Sequence, residues 1–136
     1  MSIYLVDTCI VTDLAQPNSE WFEWSASTLS ELDSQSRFVI NPIIYSECSI
    51  VFDTIEELED VFSVLDFEVL QLSREALFLA GRAFVQYRRK GGNKSNVLPD
   101  FFIGAQAAVE GYGLITRDKA RFGTYFPKVR LICPDT

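Results

Sequence analysis

The chain reads as an α/β protein in three layers, a mostly parallel central sheet flanked by helices. Three observations predict this. Short apolar runs at Ile3–Val6, Arg37–Ile40, Leu114–Thr116 and Arg130–Cys133 alternate with longer stretches of helical periodicity. The 136 residues are 48% hydrophobic and include eleven Phe, enough for one packed core, so residues 1–136 are expected to form a single domain. No run of about 18 apolar residues is present, which excludes a membrane-spanning helix.

Taken in order, Ile3–Val6 makes the first strand, with Asp7 at its C-terminal end. Thr8 is placed to cap a short helix through Leu14, stopped by Pro17, and Asn18 or Ser19 to cap a second, with Trp21, Trp24 and Leu32 on one face. Arg37–Ile40 is the second strand. Asn41-Pro42 opens the next helix as cap and first-turn proline. In that helix Ile43, Ile44, Ile50 and Val51 predict an inward stripe. Glu47 falls on the same stripe, where a lone carboxylate is costly. Thr54 and Glu57 form a capping box for a helix turning Ile55, Leu58, Phe62 and Leu65 inward. Phe67–Leu72 is a short strand or linker, and Ser73 caps a long helix to about Lys90 that packs through Leu77, Ala80, Gly81 and Phe84. Arg88–Asn96, RRKGGNKSN, is expected to be a basic loop, either a connector or a phosphate-contacting arm. Pro99 suits the first position of a helix carrying Asp100 in its first turn, against the positive end of the dipole. Its FFIGAQAAV run is apolar on nearly every side, which predicts burial on more than one face. Gly111 and Gly113 break it before the strand that leads to Asp118.

Composition limits the chemistry. Without histidine, Ser-His-Asp and Cys-His nucleophiles and Cys/His zinc sites are excluded. Three cysteines, Cys9, Cys48 and Cys133, show no CxxC spacing, and any pairing leaves one thiol over. Together with an opening MSIYLVD that reads as a strand rather than a secretory leader, this predicts a reduced, cytoplasmic setting. Hydrolysis therefore falls to carboxylates with oxygen-preferring metals. The net charge of −7 hides a division: residues 1–73 carry fourteen acids against Arg37 alone, net −13, whereas residues 74–136 carry eleven bases against five acids, net +6. The first half suits a basic partner segment, and the second gives a local footprint for nucleic acid.

Sites in such sheets lie beyond the C-terminal ends of the strands. Asp7 and Asp118 are expected there, Asp100 opens the helix before the second of them, and Glu47 is the acid that most needs an explanation. Each has a plainer role available, as a cap or turn residue. Gathered together they repel, by about 4 kcal/mol for two charges about 4 Å apart at an effective dielectric of about 20. Mg2+ or Mn2+ removes that penalty and prefers such ligands.

The same segments carry a family resemblance. VDT at the first strand end, the acid of IYSEC, LPDFFIGAQA and LITRDKARF resemble the motifs of PIN-domain ribonucleases, above all the VapC-like toxins of type II toxin–antitoxin pairs. The resemblance spans almost the whole chain; its specific part is LPDFFIGAQA with LITRD, and VDT alone is weak. It implies a PIN-like sandwich and a metal-dependent endoribonuclease, with Asp7, Glu47, Asp100 and Asp118 as catalytic residues gathering Mg2+ or Mn2+. Water attacks an RNA phosphodiester in this family. It also implies a cognate antitoxin, a homodimer or toxin–antitoxin hetero-oligomer, and no membrane. Thr116 matches the family threonine that orients a carboxylate or water; Thr8 and Asp13 are candidates for the shell behind the ligands. Arg88, Arg89, Lys94, Arg117, Lys119 and Arg121 are candidates for RNA phosphates, and Tyr87, Tyr112 or Tyr125 for base stacking. Two positions depart from the pattern: Cys9 stands where Asn or Ser is commoner, and Gln106 where the nearest relatives carry His. A haloacid-dehalogenase-like phosphatase is disfavoured, because Cys9 stands where its second Asp belongs. The other alternative is a catalytically silent PIN-like module that binds an antitoxin or RNA.

Overall fold

The computed structural model describes residues 2–94 and 97–134. The chain alternates strand and helix: β1 (Ser2–Val6), α1 (Thr8–Ala15), α2 (Phe22–Leu32), β2 (Ser36–Ile40), α3 (Pro42–Cys48), α4 (Ile55–Leu65) and β3 (Phe67–Val69). There follow α5 (Arg74–Arg89), α6 (Leu98–Glu110), β4 (Gly113–Ile115), α7 (Lys119–Tyr125) and β5 (Leu131–Ile132). Among the described residues the sheet has five strands in the order β3-β2-β1-β4-β5, and every pairing is parallel.

That order decides where a site can form. The chain builds outward from β1 through β2 to β3, then returns to the other side of β1 with β4. The crevice beyond the C-terminal ends of β1 and β4 is thus a topological switch point. Register fixes it closely: Val6 pairs with Ile115, and the Asp7 N–H donates to the Ile115 carbonyl at 3.0 Å. Asp7 and Thr116 therefore leave the sheet side by side.

The core fills from the strands outward. Leu5, Val6, Val39, Ile40, Leu114 and Ile115 are inaccessible to solvent, as are Phe101 and Ile103 of α6 and Ile44 of α3. α6 is buried at Phe101, Ile103, Gly104, Ala105, Gln106 and Ala107, as its all-round apolar sequence predicts. Gly111 ends it at φ +76°, a left-handed conformation that a side chain disfavours.

Several local expectations are corrected. Asp7, not Thr8, caps α1. α2 begins at Phe22 without a side-chain cap: the residue at its cap position is Trp21, and the Ser19 hydroxyl, three residues before the helix, accepts from the Trp21 N–H at 3.2 Å and donates to Asp13 at 3.1 Å. Ile50 and Val51 are 82% and 44% exposed, since α3 tightens into a 3₁₀ turn at Ser49–Val51 and leaves the α-helical phase on which the stripe was drawn. Ile55 is also exposed, although Leu58 and Phe62 are buried. The buried face of α5 is Ala76, Ala80 and Ala83, about one residue out of phase from the expected one, with Leu77 and Gly81 outside. Pro99 is the second helical residue of α6, behind Leu98. Arg88 and Arg89 belong to the last turn of α5 rather than to a loop, and Ser95 and Asn96 of that segment lie outside the described residues.

Candidate active site

Asp7 is the buried centre of the switch point, 7% exposed. One carboxylate oxygen, Oδ1, accepts from the Thr8 N–H at 2.8 Å; the other, Oδ2, accepts from the Thr116 hydroxyl at 2.6 Å and from the Cys9 thiol at 3.7 Å. Burial nevertheless raises its pKa to about 6, and the negative charges of Asp100 and Glu47 push the same way against the Thr116 and Thr8 hydrogen bonds. Burial and the charge of Asp7 drive the Cys9 thiol up to about 12, so Cys9 is a neutral donor to the acid beside it. Cys9, expected as a departure from the Asn or Ser that the resemblance implies, supplies a thiol donor to Asp7.

The other three acids are connected to Asp7 through threonines and charge. Thr8, whose N–H holds Asp7, donates its hydroxyl to Glu47 Oε1 at 2.6 Å. Thr116 donates to Asp7 and accepts from the Asp118 N–H at 3.1 Å. Asp118 caps α7, its Oδ1 accepting from the Arg121 N–H at 3.2 Å. Asp100 is raised by burial and by the charge of Asp118, and pulled back by Arg121, with which it forms an ion pair. The same Arg121 nitrogen, Nη1, lies 3.6 Å from Asp118 Oδ2. Thr8 and Thr116 thus stand directly behind the acids. The four acids form one electrostatic neighbourhood, and Arg121 is the cation inside it.

The donor set fits a hard divalent ion in kind: carboxylate and hydroxyl oxygens, with a buried acid whose charge is unfavourable without a cation. Among the described residues no three acid, cysteine or histidine side chains stand close enough to share one ion. Asp100 and Asp118 are drawn onto Arg121 instead.

The remaining predicted residues separate sharply. Asp13, 4% exposed, is a structural hub rather than a partner of the four acids. It accepts from Ser25 at 2.8 Å, from Ser19 at 3.1 Å, and from Arg117 through both Nε (3.2 Å) and Nη2 (3.1 Å). Arg117, predicted to meet phosphates, is held by that fork and lies over the Trp21 ring at 5.4 Å. Lys119 is exposed beside Asp118. Arg88 lies over Phe84, and the Lys94 N–H donates to the Tyr87 hydroxyl at 3.1 Å, the chain having reversed at Gly91 (φ +93°). Tyr87 and Tyr125 pack against Phe101, with centroids 5.8 and 5.2 Å away, and so are core partners rather than open platforms. Tyr112 lies at the opposite end of the sheet, beside a cavity of about 510 Å3 that also touches Ile3, Gly113, Lys128 and Arg130.

One positioning network was not read from the sequence. Gln106, fully buried, donates to the Gln71 carbonyl at 3.1 Å and accepts from Asn41 Nδ2 at 2.9 Å; Asn41 Oδ1 caps α3 through the Ile44 N–H at 2.9 Å. This amide chain joins the helix of Asp100 to the helix of Glu47. Asn41-Pro42 signalled the cap, but nothing in the sequence pairs Asn41 with Gln106.

Comparison with known proteins agrees with this architecture. A chain in the crystal structure of VapBC2 from Rickettsia felis, bound to a DNA fragment from the VapBC2 promoter, superposes with a TM-score of 0.74 at 18% identity, covering 96% of this chain and 98% of that one. One in VapBC-1 of nontypeable Haemophilus influenzae gives 0.72 at 20%, covering 96% and 97%. A toxin–antitoxin complex from Klebsiella pneumoniae gives 0.57 at 25%, covering 88% and 89%. No curated protein matches in sequence. The sequence model of the PIN domain matches residues 4–125, nearly the full length, and the chain belongs to the PIN domain family.

Proposed function

We propose that this chain is a divalent-metal-dependent endoribonuclease and the toxin of a type II toxin–antitoxin pair. The observation that carries the reading is the web of Asp7, Thr8, Thr116, Glu47 and Asp118 at the switch point between β1 and β4. Asp7, Glu47, Asp100 and Asp118 are the catalytic residues and would hold Mg2+ or Mn2+. When bound, the ion supplies Lewis acidity toward the phosphate and lowers the pKa of water. Thr116 and Thr8 fix the Asp7 carboxylate so that its oxygens need no reorganisation. Glu47 is aimed by the same Thr8, and Gln106 with Asn41 sets the helix that carries it. Arg88, Arg89, Lys94 and Lys119 remain the candidates for RNA phosphates, Arg117 being held by Asp13.

The toxin role is supported by the structural relatives, whose chains were solved as VapBC and toxin–antitoxin complexes. The strongly acidic residues 1–73 suit a basic antitoxin segment. Among the described residues no helix is long and apolar enough to cross a membrane. A cytoplasmic toxin, in a homodimer or a toxin–antitoxin hetero-oligomer, is the setting proposed.

The test is cleavage of total cellular RNA by antitoxin-free protein. Discrete fragments are expected with Mg2+ or Mn2+, lost with EDTA and in Asp7→Asn, Glu47→Gln, Asp100→Asn or Asp118→Asn proteins that keep the wild-type circular dichroism spectrum. Full cleavage by two or more of these variants overturns the site. Absence of cleavage by the metal-loaded wild type turns the reading to a binding module.

A further inference from the structure

Arg121 is the feature of the site that neither catalysis nor folding explains. It lies on α7, one turn past Asp118, with its side chain 25% exposed. Its backbone N–H already completes the cap with Asp118 Oδ1, so the helix does not need the guanidinium. That group instead reaches back to pair with Asp100 from α6 and to approach Asp118 from its own helix. Two acids from different elements thereby share one cation. Arg117 and Lys119, the neighbouring bases, do not do this: Arg117 is held by Asp13, and Lys119 is exposed.

We propose that Arg121 is an internal latch that competes with the divalent ion for Asp100 and Asp118, so that loading the site requires the guanidinium to swing out. The inference rests on the carboxylate site proposed above. A guanidinium presents fixed N–H donors to carboxylate oxygens, the same oxygens a hard ion needs. Ion and arginine therefore exclude each other. The observed metal affinity is the intrinsic one reduced by the fraction of molecules in which the latch is open. The site is thus set to load at a higher free ion concentration than its acids alone would demand. A displaced Arg121 stays at the mouth of the site, where a substrate phosphate is its next available anion.

The experiment is Mn2+ binding to metal-stripped full-length protein, read from free Mn2+ by electron paramagnetic resonance. A Mg2+ titration of the wild type is followed in parallel through the Arg121 Nε–H NMR resonance. Arg121→Gln is expected to bind Mn2+ about tenfold more tightly than wild type, equal to about 1.4 kcal/mol. Lys119→Gln, which removes a neighbouring charge without touching the latch, is expected to change affinity less than about twofold. The Arg121 resonance is expected to move with the same midpoint as Mg2+ binding. Binding that Asp118→Asn abolishes, but that is equal in wild type and Arg121→Gln, overturns the latch and leaves the metal site standing. So does an equal gain in Lys119→Gln, or an Arg121 resonance that stays fixed while Mg2+ binds. No saturable binding in either wild type or Arg121→Gln overturns both. Binding by Arg121→Gln alone supports the latch in its strongest form.

Discussion

Asp7 carries an electrostatic penalty that its hydrogen bonds reduce without removing. Its folded-state pKa of about 6, against an ordinary 3.8, means that the folded protein favours the protonated acid. The corresponding stability is fully present below about pH 4 and lost as pH rises through about 6, a difference of about 3 kcal/mol for this one group. In EDTA, Asp7→Asn is therefore expected to melt higher than wild type at pH 7.5, by roughly 5 °C or more, with the gap closing at pH 4. Calorimetry at the two pH values checks this, and a destabilised variant at pH 7.5 would show that the Thr8 and Thr116 bonds outweigh burial. Thr116 is the complementary case. Its hydroxyl serves Asp7 and Asp118 together, so Thr116→Val should cost about 1–3 kcal/mol and lower cleavage by roughly 10–100-fold, with Thr116→Ser restoring most of both. Asp7 and Asp118 were legible as acids at strand ends, because a parallel strand pattern fixes which end faces the site. The inward placement of Arg121 was not, since a basic residue flanking an acid reads equally well as a phosphate contact.

At the level of elements, what holds the β4–α7 connection is the clasp of Asp13 on α1 with Arg117, closed by Ser19, Ser25 and the Trp21 ring. Asp13→Ala leaves the Arg117 guanidinium, 29% exposed, without its carboxylate. A loss of about 3 kcal/mol in urea unfolding is expected. Because the two side chains act as one unit, the Asp13→Ala/Arg117→Ala double variant should lose less than the sum of the singles; additive losses would show that Asp13 serves mainly the serines. The strand–helix alternation, the Asn41 and Ser73 caps and the burial of α6 on more than one face were readable because each depends on local spacing. Helical phase was not readable where local chemistry broke it. The Ser49 hydroxyl donates to the Ser46 carbonyl at 2.6 Å as α3 tightens into its 3₁₀ turn, and Ile50 and Val51 turn outward. Contacts between distant amides, such as Gln106 with Asn41, have no period at all.

Over the whole molecule, the unequal charge of the two halves meets the topology of the sheet. An RNA approaching a chain of net charge −7 needs a local positive path, and with Arg117 and Arg121 paired to acids that path must come from other bases. In the proposed function, the C-terminal end of α5 is the candidate for it. Tyr87 of α5 meets Tyr125 of α7 with centroids 6.3 Å apart, and Lys90 lies 5.6 Å over the Tyr125 ring, so the Arg88–Lys90 end of α5 stands beside the helix that Asp118 caps. Arg88 and Arg89 are exposed there, and Lys94 is folded back onto Tyr87. Each phosphate neutralised on single-stranded RNA adds about 0.7 to the slope of log affinity against log salt. Replacing Arg88, Arg89 and Lys94 together by Gln should therefore flatten that slope by roughly 2 and raise KM for RNA. Because none of the three touches the acids, kcat at saturating RNA should hold within about twofold. Fluorescence anisotropy across a salt series, paired with steady-state cleavage, measures both quantities. An unchanged slope would move the RNA path away from α5, toward Lys119 and a released Arg121.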